Sequence, residues 1–373
     1  MAKRRLTRQQ QNRIRHRQRL EVDEQQARSA DSEAASGDGP RLTGLVISHF
    51  GQQLEVEARE GPRQGELFRC FQRSNLPPLV AGDRVVFAVG ASGTGGIGST
   101  ESAVGIESAV STGNVDGTGA IASANSAASD STNGVITGLE DRQNVFCRPA
   151  AGGQLKPVAA NIDLVMVVLA PRPQPFLNLL DRYLVAIESL GLRPLIVINK
   201  SDLIDEQPDP VIETVLADYP QLGYPVYSVS SSRSSGLEAL ESALRNSTAV
   251  IVGQSGVGKS SLINALSPAV AARVGELSSG AEKGTHTTTS ARLFHLGGFD
   301  LIDSPGIREF GLWHISPAEL LEGFVEFRPF LGHCKFRDCS HRDQPGCELI
   351  HAVEQGNVKA YRLASYFQIL DSL

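Results

Sequence analysis

The 373-residue chain has no uninterrupted apolar stretch long enough to cross a bilayer as a helix. Its N-terminal region also lacks the apolar core of a secretory signal. A soluble cytoplasmic protein with no membrane partner is the expectation. Cysteine is scarce. Of five, three crowd into one short C-terminal stretch as Cys334, Cys339 and Cys347. That distribution argues against a disulfide scaffold and for metal binding in a reducing compartment. Acidic residues are missing from the first 20 positions, where Lys3, Arg4, Arg5, Arg8, Arg13, Arg15, Arg17 and Arg19 all precede Glu21. Serine is missing there too, up to Ser29, which weighs against a transit peptide because such segments are usually Ser-rich. The whole chain carries a net charge of −6. A basic arm on an acidic body suits an anionic partner, nucleic acid first. A solvated tail without a dedicated partner is the plainer alternative.

What is present can build two or three domains, with 41% hydrophobic residues to fill their cores. Residues 1–40 are polar and rich in Gln and Arg, and read as a disordered basic tail. Residues 41–150 alternate apolar and polar positions in short runs such as Gln53-Leu54-Glu55-Val56-Glu57-Ala58, punctuated by glycine. Within them, residues 91–131 are dominated by Gly, Ser, Ala and Thr and read as an inserted flexible loop. Strand character returns at Gly134 and is expected to run on to Arg148. About five short strands suit a small β-barrel of OB type, and an SH3-like barrel would leave the same trace. Over residues 155–311 buried strands such as Leu164-Val165-Met166-Val167-Val168-Leu169 alternate with helical stretches, one at residues 177–190 and one at residues 237–244. That alternation specifies a mostly parallel α/β sheet covered by helices. Residues 312–373 read as helical and polar around the cysteine cluster.

Gly253-Gln254-Ser255-Gly256-Val257-Gly258-Lys259-Ser260 fits the phosphate-loop pattern G-x-x-x-x-G-K-[ST]. It follows the apolar run Ala249-Val250-Ile251-Val252 and opens a helical pattern at Ser261, the context the motif needs. Backbone N–H groups of such a loop cradle phosphates at a helix N-terminus. Lys259 is expected to reach the β/γ oxygens, and the Ser260 hydroxyl to bind Mg²⁺. Asp303-Ser304-Pro305-Gly306 is a D-x-x-G turn after a strand, with Asp303 suited to hold Mg²⁺ and the Gly306 N–H to meet the γ-phosphate. Between them, Lys283-Gly284-Thr285-His286-Thr287-Thr288-Thr289 has the character of a switch loop. Either Thr287 or Thr288 completes the Mg²⁺ shell in this reading. Asn199-Lys200-Ser201-Asp202 ends another strand. The Asp202 carboxylate can accept both guanine N1–H and N2–H, which selects GTP over ATP. Asn199 would brace the site, the Lys200 stem would stack on the base, and Ser230-Ser231 occupies the place where a backbone N–H meets the guanine O6.

The order of these motifs is informative. The base-reading N-K-x-D lies upstream of the phosphate loop, whereas ordinary GTPases have it downstream. This is the order of a circularly permuted GTPase. Domain termini tend to lie close together, so joining them and opening the chain elsewhere preserves a fold. Here Asn246-Ser247-Thr248 would join the old ends, and the new exit follows the turn at Gly306 and leads into the cysteine segment. That segment supplies Cys334, Cys339, His341 and Cys347, three thiolates and one imidazole suited to a tetrahedral structural Zn²⁺ with no open position. Cys70 and Cys147 fall in strands and read as core residues, and His333 as a solvated neighbour of the cluster.

In motif order, and in the phosphate-loop sequence through Asn264 and the Asp303–Leu312 stretch D-S-P-G-I-R-E-F-G-L, the chain resembles the ribosome small-subunit-dependent GTPase A (RsgA) family. The resemblance covers about residues 41–371, without the insertion at 91–131 and the basic tail. It implies an N-terminal OB domain, a central permuted GTPase domain and a C-terminal zinc domain. It also implies GTP hydrolysis linked to late maturation of the small ribosomal subunit, with rRNA as a partner. A monomer is expected. The long Gly/Ser insertion departs from the family pattern. One chemical gap is visible: many GTPases place Gln after D-x-x-G to orient the attacking water, and here Ile307 stands there. His286 is the best replacement in this chain. A GTP-switched rRNA-binding scaffold with little turnover is the alternative.

Overall fold

The structure, a computed structural model, describes residues 40–51, 53–89, 133–149, 155–206, 208–266, 291–304 and 315–373. The expected basic tail, the Gly/Ser insertion, His286, Thr287, Thr288, Gly306 and Ile307 lie outside the described residues.

Strands β1 (Arg41–Phe50), β2 (Gln53–Ala58), β3 (Leu67–Gln72), β4 (Arg84–Val89) and β5 (Asn133–Leu139) form the first body. Period-2 alternation sends Leu54, Val56, Phe68, Cys70, Phe87 and Ile136 inward, each essentially inaccessible. Strand β1 pairs antiparallel with both β2 and β4, and β3 pairs in parallel with β5. The strand order β1-β2-β3-β5-β4, closed by β1–β4, is that of an OB barrel, which decides between the two barrels the sequence allows. Cys70 is a core residue, and burial pushes its thiol up to about 12.

The strand expected to run from Gly134 to Arg148 is broken. The chain leaves the barrel after Leu139 because Arg142 turns inward, its Nε 2.7 Å from the buried Asp83 carboxylate. Strand β6 (Val145–Pro149) then pairs with β7 (Leu155–Ala160) as a separate hairpin. Cys147 lies on β6 and is half-buried.

The second body is a sheet ordered β10-β9-β8-β11-β13-β12. Its strands are β8 (Leu164–Leu169), β9 (Arg193–Ile198), β10 (Val226–Ser228), β11 (Thr248–Val252), β12 (Arg292–His295) and β13 (Asp300–Asp303). All pair in parallel except β12, which runs antiparallel to β13. Helices cover both faces, so central strands are apolar throughout, and every residue of β8 is buried. One face packs against α1 (Leu177–Ser189) through Leu180, Leu184 and Ile187. The other packs against helices formed by Leu237–Leu244 and Lys259–Leu266, through Leu240, Leu244, Leu262 and Ile263.

Chain order names the remaining helices α2 (Asp202–Glu206), α3 (Pro210–Asp218), α4 (Leu237–Leu244), α5 (Lys259–Leu266), α6 (Pro317–Gly323), α7 (Glu348–Glu354) and α8 (Ala360–Leu370). Helix α3 goes beyond the sequence expectations. Its signal is Asp209-Pro210: the Asp209 carboxylate caps the N–H groups of Val211 and Ile212, and Pro sits at the first turn. Asn246 and Ser247 join α4 to β11, the junction expected for the old ends of a permuted domain.

The C-terminal segment packs on α1. Phe324 and Phe327 stack 4.8 Å apart, with Tyr366 set edge-on to both. Beside them the buried Arg362 of α8 ion-pairs with Asp181 of α1 and, at 2.5 Å, with Glu326. Burial opposes the charge on Arg362, but Asp181 and Glu326 hold the guanidinium protonated. Among the described residues no helix is long and apolar enough to cross a membrane.

Candidate functional site

The loops carrying the motifs emerge where ligands collect in open α/β sheets, at the carboxyl ends of parallel strands. Residues 253–258 leave β11 and enter α5. Two glycines there are demanded by geometry. Gly253 has φ 142°, and a Cβ on it would lie 2.3 Å from the Val168 carbonyl oxygen. Gly258 has φ 92°, and a Cβ there would lie 2.5 Å from Asn199 Nδ2. Both leave the backbone where only glycine fits. Lys259 Nζ lies over the loop, donating to the carbonyls of Gly253 at 2.8 Å and Gln254 at 3.0 Å. Ser255, Ser260 and Ser261 are exposed along the same loop and helix start, while Val257 is buried beneath it. On the adjoining strand, Asp303 is the register partner of Ile251. Burial pushes its carboxyl up, and the Lys259 ammonium pulls it back, so the two side chains share one electrostatic site.

Asn199 follows β9 and is fully buried. Its Nδ2 donates to the Val257 carbonyl at 3.0 Å, and its Oδ1 accepts the Ser231 N–H at 3.2 Å. Lys200, at φ 59°, sends Nζ to the carbonyls of Gly256 at 2.7 Å and Arg172 at 2.9 Å. The buried Ser230 hydroxyl donates to Asp202 Oδ1 at 2.5 Å, and this holds the carboxyl below its usual range. The structure therefore brings Asn199, Lys200, Asp202, Ser230 and Ser231 together with the loop of Gly253, Gln254, Ser255, Gly256, Val257, Gly258, Lys259, Ser260 and Ser261. Two partners were not foreseen. The Arg172 carbonyl belongs to no motif, and its one sequence signal is a position just beyond the carboxyl end of β8. The sequence pointed to a backbone N–H of Ser230-Ser231 for the guanine O6, and it gave no sign that the Ser230 hydroxyl bonds the Asp202 carboxylate.

A second cluster lies in the C-terminal segment. One donor atom each from Cys334, Cys339, His341 and Cys347 falls within 4.8 Å of all the others. Cys334 Sγ is 3.5 Å from His341 Nδ1 and 3.9 Å from Cys347 Sγ, and His341 Nδ1 is 3.4 Å from Cys347 Sγ. Ligands about 2.3 Å (sulfur) and 2.0 Å (nitrogen) from a tetrahedral zinc lie about 3.5–3.8 Å apart. The separations fit such a centre, and they are far too long for a disulfide. Burial keeps the imidazole in its neutral, ligating form. It also pushes the Cys347 thiol up to about 11, a cost that a dication offsets by stabilising the thiolate. Cys334, Cys339, His341 and Cys347 thus match Zn²⁺ in donor set and spacing. His333 is not among the clustered donors.

A phosphate loop braced by an upstream N-K-x-D loop, on a sheet whose central strand β11 comes after β8, β9 and β10 in sequence, defines a circularly permuted P-loop GTPase. The comparisons agree and go further. The model of the RsgA GTPase family matches residues 139–313. The small ribosomal subunit biogenesis GTPase RsgA of Pseudomonas fluorescens is 48% identical, over all of this chain and 98% of that protein. Its counterpart in Azotobacter vinelandii is 46% identical over the same shares. The crystal structure of YjeQ from Thermotoga maritima superposes with a TM-score of 0.61 at 28% identity, covering 88% of this chain and 97% of that one. YloQ, described as a circularly permuted GTPase, gives 0.60 at 27% identity, covering 90% and 97%. The chain belongs to the RsgA GTPase family, whose chemistry requires Mg²⁺ with GTP.

Proposed function

We propose that this chain is a GTP hydrolase that binds the small ribosomal subunit during its late maturation and turns over fastest on it. One observation carries the nucleotide reading. Asn199 joins the phosphate loop, through Val257, to the guanine-side loop, through Ser231, so one buried amide sets the distance between the two ends of a guanine nucleotide. Asp202, kept ionised by Ser230, accepts the two guanine donors. Lys200 flanks the base, and Gly253 through Ser261 wrap the phosphates.

Lys259 neutralises charge on the β/γ oxygens. Ser260 and Asp303, with Thr287 or Thr288, would hold Mg²⁺, which would supply charge stabilisation when bound. Gly306 meets the γ-phosphate. Ile307 cannot orient water, so His286 does so and moves the proton. Cys334, Cys339, His341 and Cys347 would hold the structural zinc. The domain limits that go with this reading are 41–150, 155–311 and 312–373. The protein acts as a monomer in the cytoplasm.

Contact with rRNA is the natural role of the barrel and of the basic residues 3–19. OB barrels bind oligonucleotides on the face of strands 2 and 3 and the loops between strands 1–2 and 4–5. Cross-strand register lines up Phe50, Gln53, Phe71 and Val135 at the end where those loops leave. Phe50 and Phe71 are 54% and 43% exposed, as stacking platforms for unpaired bases must be. Ile307 also favours a second reading, a GTP-switched scaffold that scarcely hydrolyses. Phosphate release measured with and without purified small subunits separates them. Strong stimulation, lost in His286→Ala with GTP affinity kept, supports the hydrolase; no stimulation supports the scaffold. Equal affinity for ATP and GTP would overturn both.

A further inference from the structure

The barrel and the nucleotide site share one hydrogen-bonded sheet. Register pairs run in a single row across it: Ile251 to Asp303, Asp303 to Arg292, Arg292 to Ser48, and Ser48 to Glu55. The row starts on the strand that feeds the phosphate loop and ends on the barrel. Its links are unequal. Strand β12 meets β13 through four registered pairs, from Arg292 to His295, but meets β1 through the one pair Ser48–Arg292.

Side chains reinforce that thin seam. Arg292 reaches Glu55 at 3.1 Å, and Ser48 Oγ donates to the same Glu55 oxygen at 3.0 Å. Three residues on, His295 bridges two carboxylates at 2.6 Å each, Glu57 of the barrel and Asp300 of β13. Two carboxylates of β2 thus grip two cations of β12. In sequence Arg292 stands three residues after Thr289 and opposite Asp303, so β12 lies between the Thr-rich stretch and the Asp303 strand.

We infer that the β1–β12 seam is the coupling joint of the protein: the pairs Arg292–Glu55 and His295–Glu57 fix the RNA-facing barrel to the strand that flanks Asp303, so that subunit contact at the barrel and turnover at the nucleotide are linked through it. Arg292 and His295 are positioning residues in this account and touch no nucleotide. The inference rests on the subunit-stimulated hydrolase reading.

The test is a charge-exchange cycle read in two assays. Arg292→Glu and Glu55→Arg each place like charges across the seam, and the double variant restores opposite charges. His295→Gln, at an exposed position, weakens the second contact without a fold-threatening change. Expected are GTP affinity and unstimulated turnover within about twofold of the parent in all variants. Subunit-stimulated turnover should fall about tenfold or more in each single charge variant. It should return to within about threefold of the parent in the double variant, and fall severalfold in His295→Gln. A purely structural role would lower the melting temperature and unstimulated turnover together and would not be rescued by exchange. Full stimulation in the single variants and in His295→Gln overturns the inference, as does a folded double variant as impaired as the singles. A parent that shows no stimulation at all refutes the hydrolase reading instead.

Discussion

Replacing Asn199 tests the centre of the site. Asn199→Ala removes the Nδ2 donor to Val257 and the Oδ1 acceptor for Ser231 N–H. The Asn199 side chain and the Val257 carbonyl it serves are buried, while the Ser231 N–H is part-buried. The buried Val257 carbonyl left without its donor costs about 1–3 kcal/mol, and the part-buried Ser231 N–H less, shared between folding and nucleotide binding. If only about 1 kcal/mol of this falls on binding, GDP affinity drops about fivefold. Asn199→Asp is the sharper control. It keeps the size of the side chain but turns the donor facing the Val257 carbonyl into an acceptor, so two oxygens would stand where a hydrogen bond was. It should bind GDP at least as poorly as Asn199→Ala. Titration calorimetry with GDP, alongside thermal melting, reads both components. GDP affinity within twofold of the parent in both variants, with an unchanged melting temperature, would refute the claim that this amide spaces the two halves of the site.

Removal of zinc by a chelator should loosen residues 331–347 and leave GDP affinity nearly unchanged, because the four ligands are local and metal binding supplies folding free energy there; elemental analysis finding no zinc in native protein would reject the centre. Arg362→Met should destabilise the C-terminal segment by about 3–5 kcal/mol in urea unfolding, since Asp181 and Glu326 lose their buried counter-charge. Adding Asp181→Asn and Glu326→Gln should recover much of that loss. His295 has its pKa raised from the ordinary 6.5 to about 9, chiefly by its hydrogen bond to Asp300. A raised folded pKa gives stability that is fully present below about pH 6.5 and is lost as pH climbs through about 9. Melting temperature between pH 6.5 and 9.5 should therefore fall more in the parent than in His295→Gln; parallel curves would contradict the bridge.

What the sequence determined by itself is local in character. A phosphate loop is legible because Gly253, Gly258, Lys259 and Ser260 answer to backbone and ligand geometry within one turn of chain. The order of motifs is a property of the chain alone, so the permutation could be read before any fold. Cys334, Cys339, His341 and Cys347 were legible because all four donors lie within fourteen residues. The barrel was legible as strands but not as a topology, since alternation reports which side faces inward and says nothing about which strand is neighbour. Only the parallel β3–β5 pairing and the β1–β4 closure distinguished OB from SH3.

Tertiary structure decided everything that joins distant stretches. Arg142 ended the strand expected to reach Arg148 because its partner, Asp83, is 59 residues away. Arg172 and Ser230 became part of the guanine side through contacts that no spacing announces. The Arg362 cluster that docks the zinc segment on α1, and the seam in which Arg292 and His295 meet Glu55 and Glu57, exist only once the chain is folded. The reason is physical. Propensity, turn geometry and ligand donors act over a few residues, while burial and charge pairing act over a few ångströms, and only the folded chain determines which residues those ångströms separate.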